Sequence, residues 1–150
     1  MTINTATTRR IQAVRESAAP TEPELPVIGL PALLERTRSA ALIDLLRVKL
    51  GFPREVFARA VHPVIESCAQ IAQLRPASEP HAYPGGLFVR GLELGSRALD
   101  YRRGQILPRG AAPEVIGAHA HRWTYAVFVA ALLHCVGRNV VHASEARSTH

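Results

Sequence analysis

The amino-acid sequence predicts an all-α protein. Apolar residues recur at helical spacing in several segments, and no segment alternates apolar and polar side chains as a half-buried strand does. Clusters of proline and glycine separate these segments, as expected of loops between helices. A chain of 150 residues that is 47% hydrophobic is long enough to form one domain with its own core.

Four helices are expected after an N-terminal tail. Residues 1–26 are rich in Thr, Ala, Glu and Pro and are predicted to be disordered, because they bury too little apolar surface to offset the entropy lost on ordering. Pro63 should kink the second helix, and Gly137 should end the fourth. The fourth helix is apolar on most sides from Tyr125 onward, so we expect it to be the most buried. The predicted helices span residues 31–50, 53–74, 87–103 and 113–136.

The net charge of +6 is carried almost entirely by arginine, since Lys49 is the sole lysine. A positive balance favours phosphate-rich partners, because neutralising phosphates releases counterions. The signal is weak by itself: the arginines are spread along the chain and the aromatic residues are few.

Two cysteines, Cys68 and Cys135, are too few for a disulfide framework, and their spacing does not suit a zinc ribbon. We therefore predict two reduced thiols in the core. The sequence has no apolar run of 18 or more residues and no apolar signal segment at its N-terminus. A cytoplasmic protein without membrane insertion is the expectation.

The segment Leu-Leu-His-Cys-Val-Gly-Arg over residues 132–138 is the sharpest chemical candidate. It resembles the His-Asp pair of HD-type metal phosphohydrolases, which follows an apolar run and precedes Gly-Lys. In such a pair an imidazole nitrogen and a carboxylate oxygen bind a divalent ion, which activates water against a phosphoester. Here Cys135 stands in the Asp position, so the alternative is that His134 is an ordinary histidine at the end of a core helix.

A second segment carries a more specific resemblance. Residues 76–93 read PASEPHAYPGGLFVRGLE, residues 106–114 read ILPRGAAPE, and Trp-Thr follows at 123–124. In order and spacing these motifs are similar to those of the TraI-like relaxase domain of the MobH class, found in integrating conjugative elements. The resemblance extends over roughly residues 25–141.

The resemblance implies an HD-like helical bundle over residues 27–141, between the tail and a C-terminal tail at 142–150. It also implies metal-dependent nicking and strand transfer on DNA at a transfer origin, with other conjugation proteins as possible partners. Because the metal site is thought to carry this chemistry in the family, Tyr101 and Tyr125 are interpreted as helix-packing residues.

The match is poor where the chemistry of the family lies. At the position of the histidine in the family motif Leu-x-x-His-Gly-Leu-Glu, this chain has Arg90. The histidine cluster of the family is reduced to His81, and Cys135 stands at the position of the family's Asp. The family Lys falls on Arg138, and a later Asp falls near His142. The family domain normally continues further, so the chain is interpreted as truncated and degenerate.

The metal implied by the family, Mg or Mn or Zn, is therefore expected to bind weakly or not at all. A positive Arg90 would repel a divalent cation, and it cannot deprotonate to become a ligand. Cys135 suits a soft ion such as zinc better than Mg or Mn. The remaining metal candidates are His81, His134 and Cys135, with His142 as a fourth donor in a rebuilt zinc site.

Two alternatives to an impaired relaxase remain open. The domain could be a non-enzymatic module that binds DNA or a protein through Arg90, Arg102, Arg103 and Arg122. It could instead be an incomplete fold that exposes the apolar face of residues 126–136 and self-associates. Gly85-Gly86 could bring its backbone close to a phosphate, although packing of this loop against the fourth helix is favoured.

Overall fold

The computed structural model describes residues 27–73, 77 and 80–148, with side chains described as far as residue 137. The all-α prediction is confirmed, since the described residues form helices and loops without a strand. The predicted tail at residues 1–26 lies outside this part of the chain. The elements are α1 (Leu30–Thr37), α2 (Ala40–Leu50), α3 (Arg54–Val56), a π-helical turn (Phe57–Val61), α4 (His62–Ala72), α5 (Gly86–Arg103) and α6 (Pro113–Ser148).

The single helix predicted over residues 31–50 is wrong, because the chain breaks between α1 and α2. Arg38 adopts a left-handed conformation with φ of 54°, and its N–H donates to the Glu35 carbonyl. The Thr37 hydroxyl donates to the Leu33 carbonyl at 2.8 Å and lies 2.7 Å from the Ser39 hydroxyl. Short polar side chains that bond to nearby groups compete with helix continuation, and this pair lies at the break.

The second predicted helix is interrupted just before Pro63, as the prediction of a kink or split there requires. Pro63 lies in the first turn of α4, where its missing N–H costs little, and the π-helical turn just before it absorbs the irregularity. The hydroxyl of Tyr125 donates to the Ala60 carbonyl in this turn at 3.2 Å. The helix-packing interpretation of Tyr125 is therefore confirmed.

The most extensive helix contact joins α5 to α6. Two glycines one turn apart on α5 make it close: a Cβ added to Gly91 would lie 3.2 Å from Leu132 Cδ1, and one added to Gly95 would lie 2.9 Å from Phe128 Cε2. The side of residues 126–136 that carries Phe128 and Leu132 is therefore covered by α5, whereas Leu133 stays exposed. The incomplete-fold alternative stays a prediction.

α5, not α6, is the most buried helix. The N-terminal half of α6 is mostly exposed or half-buried, and Leu133 is 55% exposed on the side that faces away from α5. The predicted stop at Gly137 is also wrong, because α6 continues to Ser148. Gly137 does not adopt the positive φ that a helix-ending glycine uses.

We expect Gly95→Ala to destabilise the protein and Gly117→Ala to stabilise it. Alanine gains about 1 kcal/mol of helix propensity over glycine at either position. At Gly95 the methyl group would press on the fully buried Phe128 ring, an overpacking effect that typically costs about 1–3 kcal/mol. At Gly117 on α6 no atom lies within 4 Å of the added Cβ. Urea denaturation measures both changes, and equal shifts in the two variants would contradict the glycine contact.

Candidate functional site

The loop that leads into α5 is shaped by two glycines. Gly85 has φ of 88°, and a Cβ there would lie 2.9 Å from Thr37 Cγ2. A Cβ on Gly86 would collide with the backbone carbonyl oxygen of His81. The expected packing of this loop against the fourth helix is wrong, since Gly85 contacts α1 and Gly86 contacts the loop itself. A larger residue at Gly86 would displace His81, and one at Gly85 would press on Thr37.

His81 is anchored at both its backbone and its side chain. Its carbonyl accepts the N–H groups of Ala77 at 3.0 Å and Tyr83 at 2.8 Å. Its imidazole is largely buried, with Nε2 lying 3.1 Å from Glu93 Oε2 on α5. The only histidine left from the family cluster is thus held against the first turns of α5 by a carboxylate.

Cys135 lies where α6 crosses the start of α5. A Cβ on Gly91 would lie 3.9 Å from Cys135 Sγ, which places the thiol beside the residue that follows Arg90. Burial raises the pKa of the Cys135 thiol, and the positive charge of Arg90 partly opposes that rise. The two positions at which the chain departs most from the family motifs therefore interact in the structure.

Cys68 on α4 belongs to the same buried cluster as Cys135. Burial raises the pKa of the Cys68 thiol, and the nearby Cys135 raises it further. Both cysteines are free and buried, so the prediction of two reduced core thiols is confirmed.

His134 does not share the environment of its neighbour. Its side chain is exposed, whereas Cys135 is buried. Among the residues whose side chains the structure describes, no three His, Cys, Asp or Glu side chains are gathered so that they could hold one metal ion. His142 lies beyond the described side chains, and the assignment of His81, His134 and Cys135 as metal ligands stays a prediction.

The groups at the α5–α6 crossing do not fit a hard divalent cation. Two unit positive charges 4 Å apart repel by about 4 kcal/mol at the effective dielectric near a protein surface, and a divalent ion doubles this. Arg90 supplies such a charge, and it has no lone pair to donate. Cys135 supplies a neutral thiol with a raised pKa in place of a carboxylate.

Two of the four arginines predicted to bind DNA are engaged at the end of α5. Arg102 Nη1 donates to the Gln105 carbonyl at 2.7 Å, and Arg103 Nη2 donates to the Lys49 carbonyl at 3.4 Å. Arg90 and Arg122 are exposed. The DNA-binding assignment of these four residues stays a prediction.

The sequence interpretation missed the exposed face of α5. Tyr101 was expected to pack between helices, and this is wrong, because its side chain is 72% exposed. It lies on the side of α5 opposite Leu99, which is 1% exposed. Arg97, one turn before Tyr101, is exposed as well. The helical spacing of Arg97 and Tyr101 from the buried leucines was the signal that could have revealed this face.

In the part of the chain that the structure describes, the fold defines an all-α protein, and Arg90 and Cys135 lie together where α5 and α6 cross. Residues 26–146 match the TraI_2 family, described as a putative helicase. The chain belongs to that family. No curated protein matches the chain, and no solved structure matches it either. Within the described residues, no helix is long and apolar enough to cross a membrane.

We expect Arg90→Gln to raise the pKa of Cys135. Removing the guanidinium charge leaves the effect of burial unopposed, so the pH midpoint of thiol alkylation should shift upward. The measurement uses the Cys68→Ala background, so that Cys135 is the only thiol. Arg97→Gln, also on α5 and exposed, is the matched control. A midpoint that moves equally in both variants would show that Arg90 has no specific effect on Cys135.

Proposed function

We propose that this chain is a TraI-like domain of the MobH relaxase class that engages DNA at a transfer origin but has lost metal-dependent nicking. Membership of the TraI_2 family supports the link to conjugation-type proteins. The observation that carries the proposal is the packing of Gly91 against Cys135 at the crossing of α5 and α6, with 3.9 Å between an added Gly91 Cβ and Cys135 Sγ, because it brings the neighbouring Arg90 close to the thiol.

The loss of activity follows from the chemistry of these two residues. In the family pattern the two positions hold His and Asp, which together offer nitrogen and oxygen donors to a divalent ion. Their replacements offer a permanent positive charge and a protonated thiol, and these disfavour Mg or Mn. Zinc on Cys135 would require its thiolate, which burial opposes.

DNA contact does not depend on that metal. The chain carries a net charge of +6, and Arg90, Arg97 and Arg122 are exposed in the described structure. Positive surface charge supplies most non-specific affinity for DNA, because it displaces counterions from phosphates. The proposed domain is therefore one that holds origin DNA without cutting it.

A second candidate function is a non-enzymatic module that binds a conjugation protein. Exposed apolar residues on α2 favour it: Leu45 is 44% exposed and Val48, one turn later, is 73% exposed. A partner protein would bury this pair, whereas DNA would not. Binding to a transfer protein that Val48→Glu abolishes, with no change in DNA affinity, would support this second function.

We expect no nicking of origin DNA by the natural chain with Mg or Mn above the metal-free background. The double variant Arg90→His/Cys135→Asp should instead gain affinity for Mn, seen by calorimetry and as a metal-dependent rise in Tm, because it restores two donors and removes a repelling charge.

The control for this experiment is Arg90→Gln/Cys135→Asn, which removes the same charge and thiol but supplies weaker donors. Robust Mg- or Mn-dependent nicking by the natural chain would overturn the proposed loss of activity. Equal Mn affinity in the two double variants would show that the crossing is not the position of a lost metal site.

A further inference from the structure

One face of α5 carries mostly exposed side chains. Residues spaced by four, three and four positions share a helix face. We call the face formed by Arg90, Leu94, Arg97 and Tyr101 the α5 outer face. Leu94 is half-buried, and the other three are exposed. Gly91 and Gly95 face α6 instead, and Ser96 accepts a hydrogen bond from Lys49 of α2 at 2.8 Å.

Two arginines make the α5 outer face basic, and the two carboxylates at its edge are held by neighbouring side chains. Asp100 lies 2.6 Å from Lys49 Nζ, and Glu93 lies 3.1 Å from His81 Nε2. Arg97 has no hydrogen bond or ion pair in the part of the chain that the structure describes. Its charge is therefore available to an anionic partner.

Tyr101 adds an aromatic surface to this charge. Its ring is 72% exposed and lies one turn beyond Arg97. Beyond the end of α5, Ile106 is 68% exposed. An arginine and an open aromatic ring on one face are the two elements with which proteins bind single-stranded nucleic acid: the charge contacts the backbone and the ring stacks on a base.

We propose that the α5 outer face binds single-stranded DNA, with Arg97 contacting phosphate and the Tyr101 ring stacking on an unpaired base. This inference rests on the proposed function and specifies the form of DNA that the domain holds. The eleven residue steps from Arg90 to Tyr101 rise about 16 Å along the helix. At about 3.4 Å per nucleotide, that length matches roughly four or five stacked nucleotides.

Stacking of the Tyr101 ring on an unpaired base makes the α5 outer face prefer single-stranded DNA over duplex DNA. In a duplex, both faces of every internal base are covered by its neighbours, so an exposed tyrosine ring has no base to stack on. Phosphate contact by arginine alone would not distinguish the two forms, since both carry the same backbone charge. Tyr101 therefore carries the preference for a single strand, and Arg97 carries the dependence on salt.

The test uses the full chain and a fluorescein-labelled oligo(dT) of about 12 nucleotides, with affinity measured by anisotropy over a series of salt concentrations. Tyr101→Ala should weaken binding roughly five-fold to 100-fold, whereas Tyr101→Phe, which keeps the ring, should bind like the natural chain. Arg97→Ala should reduce the slope of log affinity against log salt by about 0.7. Arg59→Ala, at an exposed arginine in the π-helical turn, is the matched control and should leave binding unchanged.

Each outcome decides between the two proposals. If the natural chain binds no DNA, both the proposed function and this inference fail. If the natural chain binds DNA, and Tyr101→Ala and Arg97→Ala bind it as tightly as the natural chain does, this inference fails and the proposed function stands. Binding to a duplex of the same length as tightly as to oligo(dT) would overturn the single-strand preference, and equal weakening by Tyr101→Phe and Tyr101→Ala would overturn stacking.

Discussion

The close approach of α5 and α6 depends on two glycines that remove side-chain bulk from their interface. Gly91 admits Leu132 and the Cys135 thiol, and Gly95 admits the ring of Phe128. With Leu132 and Phe128 completely or almost completely buried, this crossing forms the centre of the hydrophobic core. A close-packed interior leaves little room for adjustment, so the position of every other residue on α5 follows from this contact.

The same crossing determines the chemistry of the candidate site. Because Arg90 precedes Gly91, the glycine contact brings its charge near the Cys135 thiol. The loop before α5 is fixed separately, since Gly85 packs on α1 and the carbonyl of His81 fills the space that a side chain on Gly86 would need. His81 is thus held over α5 by backbone packing and by Glu93.

Sequence reasoning recovered the helical class, the main loops and the two core thiols, because apolar periodicity and proline or glycine clusters report local structure directly. Sequence-based prediction was wrong where side-chain contacts in the folded chain determine a helix break or the buried face of a helix. The break at Arg38 depends on hydrogen bonds among Thr37, Ser39 and nearby carbonyls, which periodicity does not reveal. Tyr101 was wrongly predicted to pack between helices, because tyrosine occurs both in helix interfaces and on helix surfaces. The buried Leu99, two residues earlier, shows that Tyr101 lies on the opposite, exposed face. The metal ligands came from resemblance to a family and the DNA-binding arginines from the basic charge of the domain, and both remain predictions.

The two sides of α5 can change independently of each other. The side that carries Gly91 and Gly95 is constrained by α6, so substitutions there alter packing together with any chemistry at the crossing. Arg97 and Tyr101 on the outer face are exposed, so the core does not require their charge and their aromatic ring. Arg90 belongs to both sides, since it is exposed and also lies beside Cys135, whereas Arg97 and Tyr101 lie away from the crossing. The proposed loss of nicking and the proposed hold on DNA are therefore compatible, because the first concerns Arg90 and Cys135 and the second depends on Arg97 and Tyr101.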